Sequence, residues 1–126
     1  MSGRVVHFDI PAADVARAQS FYEDAFGWKI SGVPDNDFKR VQTTPLDAEG
    51  NLTESGSING GMMPRQGPVS GPVVTVDVDD IDATLAKVEE LGGQKLMPKK
   101  RAGNGYIAYF RDPEDNIMGL WETARD

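Results

Sequence analysis

The chain repeats one pattern twice, and that repeat restricts its fold more than any other feature. Val5-Val6-His7-Phe8-Asp9-Ile10 alternates as a strand should, a helical stretch follows, and Gly27-Trp28-Lys29-Ile30 opens the next strand. Val73-Val74-Thr75-Val76-Asp77-Val78 alternates in the same way, is followed by a second helical stretch, and leads to Gly93-Gln94-Lys95-Leu96. Each half reads as a strand, a helix and three more strands. A half of ~60 residues buries too little apolar surface to stand alone, so the two halves are expected to pack together as one domain.

The first helix runs from Val15, with Val15, Ala18, Phe21, Tyr22, Ala25 and Phe26 at three- and four-residue spacing. Asp14 is placed to cap it and Gly27 to end it. In the second half Asp79 or Asp80 caps a helix carrying Ile81, Leu85, Val88 and Leu91, and Gly92-Gly93 stop it. Ser57 to Met63 is expected to close the first half as a strand. A Gly- and Pro-rich stretch links the halves, giving module one at 4–63, a linker at 64–72 and module two at 73–122. The last hairpin turns at Asp112-Pro113-Glu114-Asp115-Asn116, where Pro113 fixes its own φ and the Asp and Asn side chains bond back to the backbone. Its second strand sets Met118, Leu120 and Glu122 on one face.

In such a βαβββ unit the helix covers one face of the sheet. Val6, Phe8 and Ile10, and Val74, Val76 and Val78, supply that face, leaving His7, Asp9, Thr75 and Asp77 on the other. Glu122 is expected to join them. Sheets set edge to edge with their helices outside curve into a cup. The expected lining of that cup is Asp9, Thr75 and Asp77, with Met62, Tyr106, Met118 and Leu120 as its apolar wall.

With these motifs in place, the chain resembles the vicinal oxygen chelate superfamily of glyoxalases, bleomycin-resistance proteins and extradiol dioxygenases. The resemblance rests on the first strand and helix through Phe26-Gly27-Trp28, on Ile58 to Met62, on Val76 to Asp82, and on Tyr109 to Asn116 with Leu120-Trp121-Glu122. It implies an α+β fold of two tandem βαβββ modules forming a cup-shaped mixed sheet with the helices outside. It also implies a divalent metal (nickel, zinc, manganese or iron) held by His or Glu from the first and last strands, and, in a protein of this size, a homodimer. His7 matches the first of those ligand positions and Glu122 the last. The fourth and fifth strands offer no His or Glu, and catalytic zinc typically takes three protein ligands. The expectation is therefore an incomplete metal site, more often empty than filled, with His7 and Glu122 either as partial metal ligands or as base and acid.

Two functions remain open on these residues. One is a glyoxalase-like lyase or isomerase acting on a small oxygenated metabolite. The other is a metal-free module that sequesters a small aromatic or cationic compound, as resistance-type relatives do. The run Lys99-Lys100-Arg101 before Gly103-Asn104-Gly105 reads either as a solvated face or as a lid that brings positive charge to an anionic substrate. Ser55 and Ser57 have no His–Asp arrangement at usable spacing, which argues against a serine hydrolase.

Composition narrows the remaining classes. A net charge of −7 argues against nucleic acid, which needs clustered Lys and Arg. The absence of cysteine removes disulfides, thiolate metal sites and cysteine nucleophiles. No apolar run approaches the ~20 residues that span a bilayer, and the N-terminal residues lack a signal-peptide core, so a cytoplasmic protein is expected.

Overall fold

The computed structural model describes residues 3–34, 36–54 and 56–125; Ser55 lies outside them. The fold is α+β, two successive βαβββ modules. The first comprises β1 (Val5–Ala12), α1 (Val15–Phe26), β2 (Lys29–Val33), β3 (Asn36–Gln42) and β4 (Gly60–Pro64). The second comprises β5 (Val73–Asp77), α2 (Ile81–Glu90), β6 (Gln94–Ala102), β7 (Gly105–Arg111) and β8 (Ile117–Thr123). The chain divides into two compact units, residues 7–72 and residues 73–126 together with the N-terminal segment up to Val6. That segment joins the second unit through ladder bonds: Gly3 N–H donates to the Asp77 carbonyl at 2.6 Å, and Asp77 N–H to that of Arg4 at 2.8 Å.

Within 7–72 the strands run in the order β2-β3-β4-β1. Strand β1 lies parallel to β4, with Asp9 opposite Gly61 and Ile10 opposite Met62. Buried Ile30, Val41 and Met62 form the core, and Phe8, Val15, Ala18, Tyr22 and Trp28 pack on it. Asp14 caps α1 by accepting the Arg17 N–H at 3.0 Å. Gly27 ends the helix in the left-handed region, at φ 71°, where its N–H reaches the Glu23 carbonyl. Both ends follow the sequence expectation.

Strand β4 starts later than its apolar pattern suggests. Asn59 turns its side-chain oxygen onto the N–H groups of Thr43 at 2.7 Å and Thr44 at 3.0 Å. A side chain thus satisfies the donors that a longer strand would have met with backbone carbonyls.

The second unit has the order β5-β8-β7-β6. Its core is Ile81, Leu85, Ala108 and Leu120, with Val76, Val78, Tyr106 and Phe110 against it. Asp80 caps α2 through the Ala83 N–H at 3.1 Å. At the β7–β8 hairpin the Asp112 carboxylate accepts the N–H groups of Glu114 at 2.8 Å and Asn116 at 2.9 Å. That hairpin is where the sequence places it.

The basic run is placed differently. Lys99, Lys100 and Arg101 lie inside β6, and the hairpin closes tightly, with Ala102 already opposite Gly105. There is no room in that turn for a lid.

Candidate functional site

In the first module, Phe8 sits on the α1 side of β1, so the alternation sends His7 and Asp9 to the uncovered face. There the His7 Nε2 and an Asp9 carboxylate oxygen lie 2.8 Å apart. Asp9 is almost sealed, its side chain 9% exposed, while that of His7 is 35% exposed. What seals Asp9 is the strand beside it. Gly61 has no side chain, and the tip of the Phe38 ring lies where its Cβ would project, next to the Asp9 carboxylate. The result is a buried carboxylate that orients a reachable imidazole.

The chemistry of such a dyad follows from its hydrogen bond. A carboxylate only accepts, so the proton between the two groups sits on His7 Nε2 and the lone pair is on Nδ1. A neutral imidazole fixed in that tautomer is a general base, and once protonated it is held as a general acid.

The second module places the other expected residues elsewhere. Leu120 and Tyr106 belong to the core beneath α2, and Phe110, the cross-strand partner of Met118, packs there too. Glu122 shares their face of β8. It does not stand on the uncovered face with Thr75 and Asp77. One Glu122 carboxylate oxygen accepts the Ile81 N–H at 2.8 Å, at the first turn of α2. The other accepts from the Lys99 ammonium at 3.1 Å. This hydrogen bond, and the carboxylate's charge, hold Lys99 protonated to higher pH than usual. Lys99 also lies 4.4 Å above the centre of the Tyr106 ring. Glu122 is thus a tertiary helix cap and the partner of a lysine.

Met62 is likewise no pocket residue, being fully buried in the core under α1. Thr75 and Asp77 do lie on the uncovered face of their module. Thr75 is buried opposite Gly119, and Asp77 pairs with Arg4 at 3.4 Å.

The donor set does not fit a catalytic divalent ion. Among the described residues no three His, Asp or Glu side chains gather into a group able to hold one. His7 and Asp9 supply one imidazole and one carboxylate already bonded to each other, and both Glu122 oxygens are engaged.

Trp28, which in the sequence marks only the opening of the second strand, lines a hollow. An open depression of about 520 Å³ in the first module is bounded by Phe8, Tyr22, Trp28, Thr43, Ser57 and neighbouring residues. The Tyr22 and Trp28 rings stack with centroids 4.9 Å apart and planes within 6°. Phe8 lies against Trp28 at 6.0 Å. The aromatic spacing across α1 was the available signal, but periodicity alone does not distinguish a core contact from a half-open one.

Comparison with known proteins agrees with this architecture. CFP32 of Mycobacterium tuberculosis, which carries a glyoxylase name, is 31% identical over 127 residues covering 93% of this chain. The chain spans only 44% of the length of CFP32. A glyoxylase-like domain-containing protein of Didymella fabae is 29% identical, with 95% of this chain and 94% of that protein aligned. Among solved structures, a hypothetical protein from Bacillus halodurans superimposes with a TM-score of 0.64 at 16% identity, covering 100% of this chain and 98% of that one. The methylmalonyl-CoA epimerase of Streptomyces coelicolor, in complex with 2-nitronate-propionyl-CoA, gives 0.62 at 16% identity over 98% and 99% of the two chains. These last two likenesses speak to the fold. Residues 4–119 match the Glyoxalase/Bleomycin resistance protein/Dioxygenase superfamily, and the chain belongs to it.

Proposed function

We propose that this protein binds a small oxygenated metabolite on the uncovered face of its first module and moves a proton on it, as a lyase or isomerase, with His7 as the base. The observation that carries this reading is the 2.8 Å contact between a partly exposed imidazole and a buried carboxylate. Asp9 orients the ring and stabilises the imidazolium that forms when Nδ1 takes a proton. The substrate C–H bond breaks as Nδ1 takes the proton, its electron pair forms the C=C bond of an enolate while the carbonyl π pair moves onto oxygen, and the imidazolium then returns the proton to carbon or to that oxygen. No step is routed through a metal, because the residues present are a poor fit to one, and none is assigned to Glu122.

Deuterium wash-in at the carbon beside a carbonyl tests the reading. A panel of pyruvate, dihydroxyacetone and methylmalonyl-CoA, followed by proton NMR in D₂O with chelator present, is expected to include one compound exchanged faster than in buffer. His7→Ala returns that compound to the background rate. Exchange in His7→Ala equal to the unaltered protein, or exchange that appears only on adding nickel, zinc or manganese, sinks the proposal.

A second reading is supported by the Phe8–Tyr22–Trp28 hollow: sequestration of a flat aromatic compound without turnover. It is distinguished by saturable binding of such a compound, followed by calorimetry, that survives His7→Ala and is lost in Trp28→Leu.

A further inference from the structure

The uncovered face of residues 7–72 has a charge pattern at odds with the rest of the chain. Pairing registers fix which residues share it. Asp9 is opposite Gly61, Gly61 is opposite Arg40, and Arg40 is opposite Ser31. Paired residues lie on one side of a sheet, so these four form a row across β1, β4, β3 and β2. Lys29 is two residues from Ser31 and shares its side, because Ile30 between them is buried in the core under α1. Among the described strand residues of this face, the exposed charged side chains are Arg40 and Lys29, both cationic. The carboxylate present, Asp9, is buried and bonded to His7. In a chain of net charge −7 this is a local reversal of sign.

The row also has a floor. Gly61, in its middle, is covered by the tip of the Phe38 ring, a residue half-buried and two positions from Arg40 on the same strand. Two strand steps of ~4.8 Å separate the Asp9 and Arg40 backbones, about 10 Å in all. That span matches a small molecule with an acid group at one end and a reacting carbon a few bonds away.

We propose that Arg40 is the specificity-determining residue of this site and that the substrate is a carboxylate. The guanidinium takes the carboxylate, bidentate, at one end. The body of the molecule lies across the Phe38 ring, and its reacting carbon reaches His7 at the other end. Lys29 adds long-range attraction for the anion. The assignment of a reacting carbon rests on the proton-transfer reading of His7; the anion subsite does not.

A matched pair of probes separates charge from shape: benzoate and benzamide, each titrated into the full-length protein. The ring signals of His7 are the reporter, since it is the chain's single histidine. Benzoate is expected to move those signals saturably and to bind at least tenfold more tightly than benzamide. Arg40→Gln abolishes that preference, and Arg40→Lys keeps part of it. Arg40 is exposed, so both variants are expected to fold, which circular dichroism checks. Equal binding of the two probes, a preference for benzoate that survives Arg40→Gln, or no saturable shift with either probe overturns the proposal. A benzoate preference lost in Arg40→Gln, in a protein that exchanges no proton on any substrate, upholds the subsite and removes the catalytic reading alone.

Discussion

The Glu122 carboxylate accepts the Ile81 N–H at 2.8 Å, a contact across 41 residues that ties the end of β8 to the start of α2. A helix leaves its first N–H groups without partners, and an anion there also meets the positive end of the helix dipole. Asp80 satisfies one of those donors from the cap position just before the helix and Glu122 satisfies another from the sheet. The carboxylate therefore acts on stability.

Glu122→Ala removes this acceptor and leaves a half-buried donor and the Lys99 ammonium without their partner. The hydrogen bond from the Ile81 N–H to the carboxylate is worth about 2 kcal/mol. Glu122→Gln keeps an acceptor for Ile81 and loses only the negative charge opposite Lys99, so its cost is smaller. Denaturant unfolding is expected to rank the unaltered protein, Gln and Ala in falling stability, with proton exchange on substrate preserved in the Gln variant. Loss of exchange in Glu122→Gln without loss of fold would return Glu122 to the chemistry.

The hairpin turn makes a different prediction. Hydrogen bonds from the backbone and then the side chain of Asn116 hold the Asp112 carboxyl below its ordinary value of 3.8. A carboxylate whose pKa is depressed by folding stabilises the native state above the unfolded pKa and loses that contribution as pH falls through the lower folded one. Unfolding free energy is thus expected to decline as pH drops below about 4. Asp112→Ala is expected to be less stable at pH 7 and to show a shallower acid slope. Parallel curves for the two proteins between pH 5 and 2.5 would contradict this.

Asp9 is tested through the tautomer it imposes. Asp9→Asn is nearly isosteric, but its amide can donate to Nε2, which moves the ring proton to Nδ1 and removes the base. Exchange on substrate is expected to fall on the order of 10²-fold, comparable to His7→Ala. Imidazole nitrogen shifts read the tautomer directly. An Asn variant with the ring proton still on Nε2 and full activity would show that Asp9 only fills space.

These cases show which parts of the chain its residues announce. His7 and Asp9 were legible as face-sharing neighbours because β1 alternates without interruption and Phe8 and Ile10 declare the covered side. Both helices were legible at their caps. Glu122 was misplaced, although its own alternation with Leu120 and Met118 assigned it to the apolar side. Its partner Ile81 is a backbone donor on a distant helix, and no side-chain pattern marks such a group. The start of β6 was legible, but its continuation through Lys99–Arg101 was not, for another reason: the register shifts between Lys95 and Met97 and again between Met97 and Lys100. Irregularities of that kind erase period-two alternation, so a basic run inside a strand looked like a loop. Arg40 was passed over because its meaning comes from the β1–β4–β3 register.

Adjacent glycines in β4 offer the sharpest steric contrast. A Cβ on Gly60 would strike the backbone carbonyl of Phe8 as well as its ring. A carbonyl in the neighbouring strand cannot turn aside, so Gly60→Ala must push β1 and β4 apart, at about 3 kcal/mol. A Cβ on Gly61 would strike the outer edge of the Phe38 ring and come within 3.0 Å of the Asp9 carboxylate. The ring can swing toward solvent, so Gly61→Ala is expected to cost nearer about 1 kcal/mol. Its consequence is local: displacing Phe38 uncovers Asp9 and removes the floor between His7 and Arg40. Gly61→Ala is therefore expected to fold, and to weaken benzoate binding while sparing the aromatic hollow by Trp28. Phe38→Ala in the same background relieves the clash, so the two substitutions are non-additive in a double-mutant cycle. Equal destabilisation by the two glycine variants would mean that Phe38 is held as firmly as backbone, and that the floor of the site is part of the core.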